Sequence, residues 1–173
     1  PIELPRTVAR LRAQGFTDAE LVSRQINFAG VPKMLPDAGG GFDFILADLG
    51  VSSMQLDNPA RGFTYKWEGP LDLRLNPRRG QPASVLIKTY SGKALEKMLT
   101  DNADEPHAKA IARAIYANRD KISTTTELAD TIKKALAYTA LAGVPASIRR
   151  TFQALRIEVN DEFSALDQFL RNL

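Results

Sequence analysis

Apolar residues at Ile2, Leu4, Val8 and Leu11 recur at roughly helical spacing, with Arg6, Arg10 and Arg12 on the remaining surface. With Gly15 as a stop, residues 1–14 predict an amphipathic helix. Residues 21–28, LVSRQINF, alternate well enough for a strand, and 31–35 suit one helical turn before Pro36. After the loop AspAlaGlyGlyGly at 37–41, residues 42–49 are almost continuously apolar, as expected of a strand buried on both faces of a parallel sheet. Helix, strand, loop, strand is an α/β rhythm, so an α/β fold class is predicted here.

The rhythm stops at Gly50. Residues 50–82 hold Gly50, Gly62, Gly69 and Gly80, four prolines, and Phe63, Tyr65 and Trp67, which reads as a long functional loop. From Ala83 onward the apolar spacing is helical over 83–89, 93–100 and 107–118. Thr124 followed by Glu127 is a capping box opening a helix to about Tyr138. Gly143 and Pro145 interrupt, and 146–159 and 161–170 read as two more helices. The expected organisation is a partial α/β domain at 1–69, an inserted helical domain at 70–144, and a helical return to the first domain at 145–173.

Composition changes this picture little. The chain has 173 residues, 44% hydrophobic and 25% charged, with a mean hydropathy of −0.22, the profile of an ordinary globular protein rather than a disordered or fibrous one. The most apolar stretch, FDFILADLGV, is interrupted by Asp43 and Asp48, so no membrane partner is expected. No signal peptide is visible, and a cytoplasmic location is expected. The absence of cysteine excludes disulfides, thiolate zinc sites and a cysteine nucleophile, and one histidine cannot build a histidine cluster, so no metal site is expected. A net charge of +3 is a weak pointer to an anionic partner. The first residue is proline, and the chain reads as a fragment.

AlaGlyGlyGly at 38–41 precedes an apolar run, whereas a phosphate loop follows a strand and opens a helix; it reads as a turn. Asp48 falls at the carboxyl end of the predicted buried strand, the edge of an open sheet where ligands bind, with Gly50 admitting close approach. Arg61, Lys66, Arg74, Arg78 and Arg79 share the long loop with three aromatics, a mix suited to unpaired nucleic acid or to a solvated loop anchored by its rings. After Pro145, Arg149, Gln153, Arg156 and Asn160 form a polar stripe opposite Ile148, Phe152, Leu155 and Val159. Its amides suit hydrogen bonds to a fixed partner more than solubility. His107, at a helix start, reads as structural.

Together, AspLeuGlyValSerSer at 48–53, GlnLeuAsp at 55–57, ArgGlyPhe at 61–63, GlyProLeuAspLeuArg at 69–74 and ArgThrPheGlnAlaLeuArgIleGluValAsn at 150–160 resemble the 16S rRNA cytosine N4-methyltransferase family (RsmH, also called MraW). The resemblance runs in order through nearly the whole chain. It implies a class I, Rossmann-like fold dependent on S-adenosylmethionine, with an inserted helical domain, acting on a cytosine amino group of 16S rRNA in the decoding centre. It also implies cofactor contacts from Phe28, Asp48 and Gln55, while the cations of the aromatic loop and of the polar helix stripe, Arg61, Lys66, Arg74, Arg78, Arg79, Arg149 and Arg156, are expected to contact the RNA. The family's glycine-rich cofactor loop, ribose-holding acid and last strands match no part of the chain. Asn76 stands where the family usually has Asp, and the glutamate-rich helix start near 105 is replaced by GluProHis.

Cytosine N4 is a poor nucleophile, so positioning and acceptance of an amino proton would carry the reaction; Asp48 is the candidate acceptor. A non-catalytic RNA-binding or scaffold fragment is the alternative. In the implied fold the two predicted strands are not neighbours, and three inter-strand steps would leave a gap of roughly 14 Å. Weak cofactor binding by the chain alone is therefore expected, with another copy or further segments completing the sheet.

Overall fold

The computed structural model describes residues 3–39, 41–138 and 143–172, in two units, Pro1–Asp48 with Phe163–Leu173, and Leu49–Glu162. Helices α1 (Glu3–Ala13), α2 (Ser53–Leu56), α3 (Ala83–Thr89), α4 (Gly92–Ala103), α5 (Ala108–Asn118), α6 (Thr125–Ala135), α7 (Val144–Asn160) and α8 (Glu162–Arg171) follow one another in the chain. Short 3-10 runs lie at Phe28–Ala38, Pro59–Arg61 and Arg119–Lys121.

The expected α/β class is overturned. Among the described residues there is no sheet, only an isolated antiparallel bridge between Pro70 and Thr124. A strand is made by its ladder, and neither 21–28 nor 42–49 finds a neighbour to pair with among the described residues. The apolar run at 42–49 leaves its side chains largely in solvent: Phe44 is 80% exposed and Leu46 81%. Residues 21–27 lead instead into the 3-10 run, where Asn27 Oδ1 accepts from the Ala29 amide at 2.9 Å. The glycine run does form a turn, in that Gly39 closes the 3-10 segment at φ 66°; Gly40 lies outside the described residues.

The first unit is held by short-range contacts. Arg12 donates to the Phe16 and Leu21 carbonyls, pulling the turn after α1 back onto the helix. Phe28 and Phe169 pack edge to face at 5.6 Å, and Asn172 Nδ2 donates to the Ala29 carbonyl, so α8 covers the 3-10 run.

In the second unit, each core helix follows from its sequence. Along α5, Ala108, Ile111, Ala112 and Ile115 recur at three and four residues and are all buried. The capping box of α6 is formed: Glu127 Oε2 accepts from the Ser123 and Thr124 amides, and Thr124 Oγ1 accepts from the Glu127 amide. These amide bonds hold the Glu127 carboxyl below its usual range. Helix α6 ends at Ala135, and Tyr138, expected inside it, is fully exposed. Helix α7 begins at Val144, earlier than expected, because Pro145 lies in the first turn, where its missing amide is not needed. Its Ile148, Phe152 and Leu155 are buried as the apolar stripe predicts. Each such side chain withdrawn from water contributes about 1.5–3 kcal/mol.

The stretch 50–82 is no solvated loop. Leu71 and Leu73 are each 1% exposed and belong to the core. Leu73 sits at φ 63°, a left-handed conformation that costs a bulky residue about 1–2 kcal/mol, and neighbouring bonds hold it there.

Tyr90 Oη donates to Glu158 Oε1 at 2.6 Å, and Asn102 Nδ2 donates to Glu158 Oε2 at 2.9 Å, joining the end of α3 and helix α4 to α7. The bond to Glu158, then burial and the carboxylate's charge, push the Tyr90 phenol from 10.0 up to about 12. The native state thus keeps a proton that the unfolded chain releases above pH 10. The stabilisation is complete below pH 10 and lost as pH rises toward about 12. Tyr90→Phe is expected to cost about 1–2 kcal/mol at neutral pH and to flatten the alkaline decline, both read from urea midpoints at a series of pH values.

Candidate functional site

The structure sorts the loop cations into two groups. Arg61 Nη2 donates to the Arg74 and Leu75 carbonyls at 2.9 and 3.1 Å while its guanidinium lies over the Phe63 ring at 5.5 Å. Arg74 forks onto Asp72, Nε to Oδ1 and Nη2 to Oδ2, each at 2.8 Å, and Nη1 reaches the Gly80 carbonyl. The Arg74 guanidinium holds the Asp72 carboxyl below its ordinary range. Both arginines are therefore engaged in shaping the 61–80 segment. Lys66, Arg78 and Arg79 are exposed, and their side chains make no hydrogen bond or ion pair among the described residues.

The polar stripe of α7 divides in the same way. Arg156 forks onto Glu162 at 2.7 and 3.1 Å, and its Nη1 would lie 4.0 Å from a Cβ at Gly50. Asn160 Oδ1 accepts from the Leu75 amide at 2.7 Å, and its Nδ2 donates to the Leu73 carbonyl at 2.8 Å. The fixed partner that the Asn160 amide suggests is thus backbone of the same chain, and the bonds hold the strained Leu73 segment on α7. Arg149 and Gln153 remain exposed. Within this unit, Lys66, Arg78, Arg79 and Arg149 are thus the predicted cations available to an outside anion, whereas Arg61, Arg74 and Arg156 are bound internally.

The aromatics separate too. Phe63 is buried, Tyr65 lies against Phe152 with ring centroids 5.4 Å apart, and Trp67 is 67% exposed.

Of the three expected cofactor residues, Phe28 and Asp48 belong to the first unit and Gln55 to the second. Phe28 is half-buried, so part of its ring stays accessible. Asp48 was expected at a buried strand end. It is exposed instead, because no strand forms around it, and its carboxylate has no hydrogen-bond or ion-pair partner among the described residues. Gln55 closes a capping box at α2, its Oε1 accepting from the Ser52 amide at 2.8 Å, which leaves its NH₂ group available. Taken one by one, a half-buried ring, an uncommitted carboxylate and an amide donor each have the chemistry to contact a cationic, adenine-bearing ligand.

Two carboxylates, Glu158 half-buried and Glu105 buried, were not anticipated. Glu158 carries the Tyr90 and Asn102 bonds; its place beside Ala154 and Leu155, one turn along the apolar side of α7, is the signal that could have found it. Glu105, 3% exposed, accepts from Ser147 Oγ at 2.8 Å and the His107 amide at 3.0 Å, tying the starts of α5 and α7. His107 serves as the N-cap residue of α5, a structural place. Among the described residues no cluster of potential metal ligands occurs, and no helix is long and apolar enough to cross a membrane.

Comparison with known proteins places these features in a family. Residues 6–173 match the MraW methylase family. A protein of Alkaliphilus metalliredigens named ribosomal RNA small subunit methyltransferase H 2 is 50% identical over 99% of this chain and 51% of its own length. Its namesake in Acholeplasma laidlawii is 46% identical over 100% of this chain and 52% of its own length. Ribosomal RNA small subunit methyltransferase H of Halorhodospira halophila is 40% identical over 98% and 53%. The chain spans about half the length of these curated relatives. With nearly all of its residues inside the match, the chain belongs to the MraW methylase family.

Proposed function

We propose that the protein transfers a methyl group from S-adenosylmethionine to the N4 amino group of a cytosine in 16S rRNA of the small ribosomal subunit, in the cytoplasm. The observation that carries this reading is the name shared by relatives at 40 to 50% identity along almost the whole chain. When bound, S-adenosylmethionine supplies an electrophilic sulfonium methyl. The chain's own residues bind and orient. Phe28 offers its accessible ring to adenine, Gln55 donates through its amide, and Asp48 accepts hydrogen bonds from the ligand or the proton that the amino group sheds as charge develops. An exocyclic amine whose lone pair is delocalised into the ring gains most from alignment, so positioning is the larger part of the catalysis.

In this reading Lys66, Arg78, Arg79 and Arg149 meet RNA phosphates, while Arg61, Arg74 and Arg156 shape the surface that presents them. Replacing Arg78 and Arg79 together by glutamine is expected to flatten the dependence of log affinity on log salt by about 1.4 for single-stranded RNA, about 0.7 per phosphate contact. Arg74→Gln is expected to lower the urea midpoint instead, because Asp72 and the Gly80 carbonyl lose their donor. Fluorescence anisotropy of labelled RNA across a salt series measures the slope, and an unchanged slope in the Arg78 and Arg79 double variant would remove these residues from the interface.

A further inference from the structure

We infer that Trp67 is a stacking platform for one unpaired nucleobase. The inference rests on the RNA reading above and names the residue that meets the base rather than the backbone. Tryptophan carries a large apolar side chain, and leaving it in water forgoes burial worth a few kcal/mol. Here the side chain is 67% exposed, and its indole makes no ring or cation contact among the described residues.

A loose loop does not account for that exposure, because the backbone around Trp67 is fixed. The Trp67 carbonyl accepts from the buried Thr125 Oγ1 at 3.0 Å, and the Gly69 carbonyl accepts from the Thr125 amide at 2.9 Å. Thr126 Oγ1 donates to Glu68 Oε2, and the Leu71 amide donates to the Ser123 carbonyl. On the other side, Gly69 lies so close to Pro59 that a Cβ would fall 2.0 Å from the Pro59 carbonyl oxygen. The ring is therefore carried on a segment clamped between the start of α6 and the 59–62 turn. Its conformational cost has already been met in the folded chain, which favours binding through it.

The surroundings choose the ligand. Trp67 is flanked in sequence by Lys66 and Glu68 and bonded through its backbone to a threonine, so it is one aromatic ring in a polar setting. A protein interface draws on a contiguous apolar core, whereas a nucleobase needs a single π face with a cation close by for its phosphate. Lys66, the next residue along the chain, supplies a cation on the same segment, exposed and without a side-chain partner among the described residues. Because every base has a π face, the contact carries little sequence preference and serves to hold an unstacked strand.

The chain has one tryptophan, so its intrinsic fluorescence reports on this residue alone. Titrating the chain with a single-stranded RNA of about ten nucleotides is expected to quench that emission saturably, at the concentrations where anisotropy of the same labelled RNA shows binding. Inorganic polyphosphate, all charge and no base, is expected to bind without quenching. Trp67→Ala should weaken RNA binding about tenfold or more with an unchanged salt slope, whereas Trp67→Phe keeps most of the affinity. RNA that binds with the normal slope but without quenching, or as tightly to Trp67→Ala as to the parent, overturns the stacking role and leaves the phosphate contacts standing. RNA that does not bind the chain at all overturns the RNA reading first, and this inference with it.

Discussion

Gly69→Ala is expected to destabilise the Leu49–Glu162 unit by about 3 kcal/mol or more, near the upper end for a single substitution. Two stretches of backbone meet here with nothing between them. A Cβ at Gly69 would fall 2.0 Å from the Pro59 oxygen, and one at Gly62 would fall 2.2 Å from the Pro70 oxygen and 2.8 Å from the Asp72 nitrogen. Each glycine clears the stretch that holds the other, so the contact is reciprocal. Backbone atoms cannot swing aside as a side chain can, and Gly62 further requires φ 73°. Gly92→Ala is the control, since its Cβ would meet only the Tyr116 side chain, at an ordinary 3.8 Å, and it is expected to shift stability by less than about 0.5 kcal/mol. Urea unfolding followed by Trp67 emission separates the cases. Equal midpoints for Gly69→Ala and the parent would show that the 59–62 and 69–72 stretches are not locked together.

This interlock lies inside the strings ArgGlyPhe and GlyProLeuAspLeuArg, which stand out in the sequence without disclosing their purpose. What a sequence displays is local. The spacing of Ile111, Ala112 and Ile115, the Thr124 and Glu127 box, and the apolar stripe of α7 each involve residues within one or two turns, and each appears in the structure where it was expected. Asn160 was legible as a residue in want of a partner, although the partner, the backbone of Leu73 and Leu75, lies 85 or more residues away. The loop cations could not be sorted in advance for the same reason. Arg61 is engaged by carbonyls 13 and 14 residues on, and nothing local distinguishes it from Arg78.

The strand expectation failed in a different way. Alternation at 21–28 and the apolar run at 42–49 are real patterns, but a strand also needs a neighbour, and that requirement is not written in the segment itself. With no ladder among the described residues, Phe44 and Leu46 stay in solvent. The expected setting of Asp48, a buried sheet edge, goes with the sheet, whereas its chemistry does not depend on it.

That separation makes Asp48 a clean functional test. Its carboxylate is exposed and supports no hydrogen bond or ion pair among the described residues, so Asp48→Ala is expected to leave stability within about 0.5 kcal/mol of the parent. If the carboxylate holds the cofactor or takes the amino proton, as proposed, the same substitution in the full-length protein should lower methyl transfer to small-subunit rRNA by roughly 100-fold or more. Asp48→Asn divides the two roles. It keeps an acceptor oxygen but cannot take up a proton, so a variant that binds cofactor nearly as the parent does and fails to turn over points to proton acceptance. A variant that loses cofactor affinity and turnover together points to charge-assisted binding, since hydrogen bonds to an ionised group are roughly twice as strong as neutral ones. Calorimetric titration with S-adenosylmethionine and incorporation of labelled methyl into rRNA supply the two readings. Parent-like turnover in Asp48→Ala would remove the residue from the site, and a loss of turnover at unchanged stability would be functional, since the carboxylate supports no hydrogen bond or ion pair among the described residues.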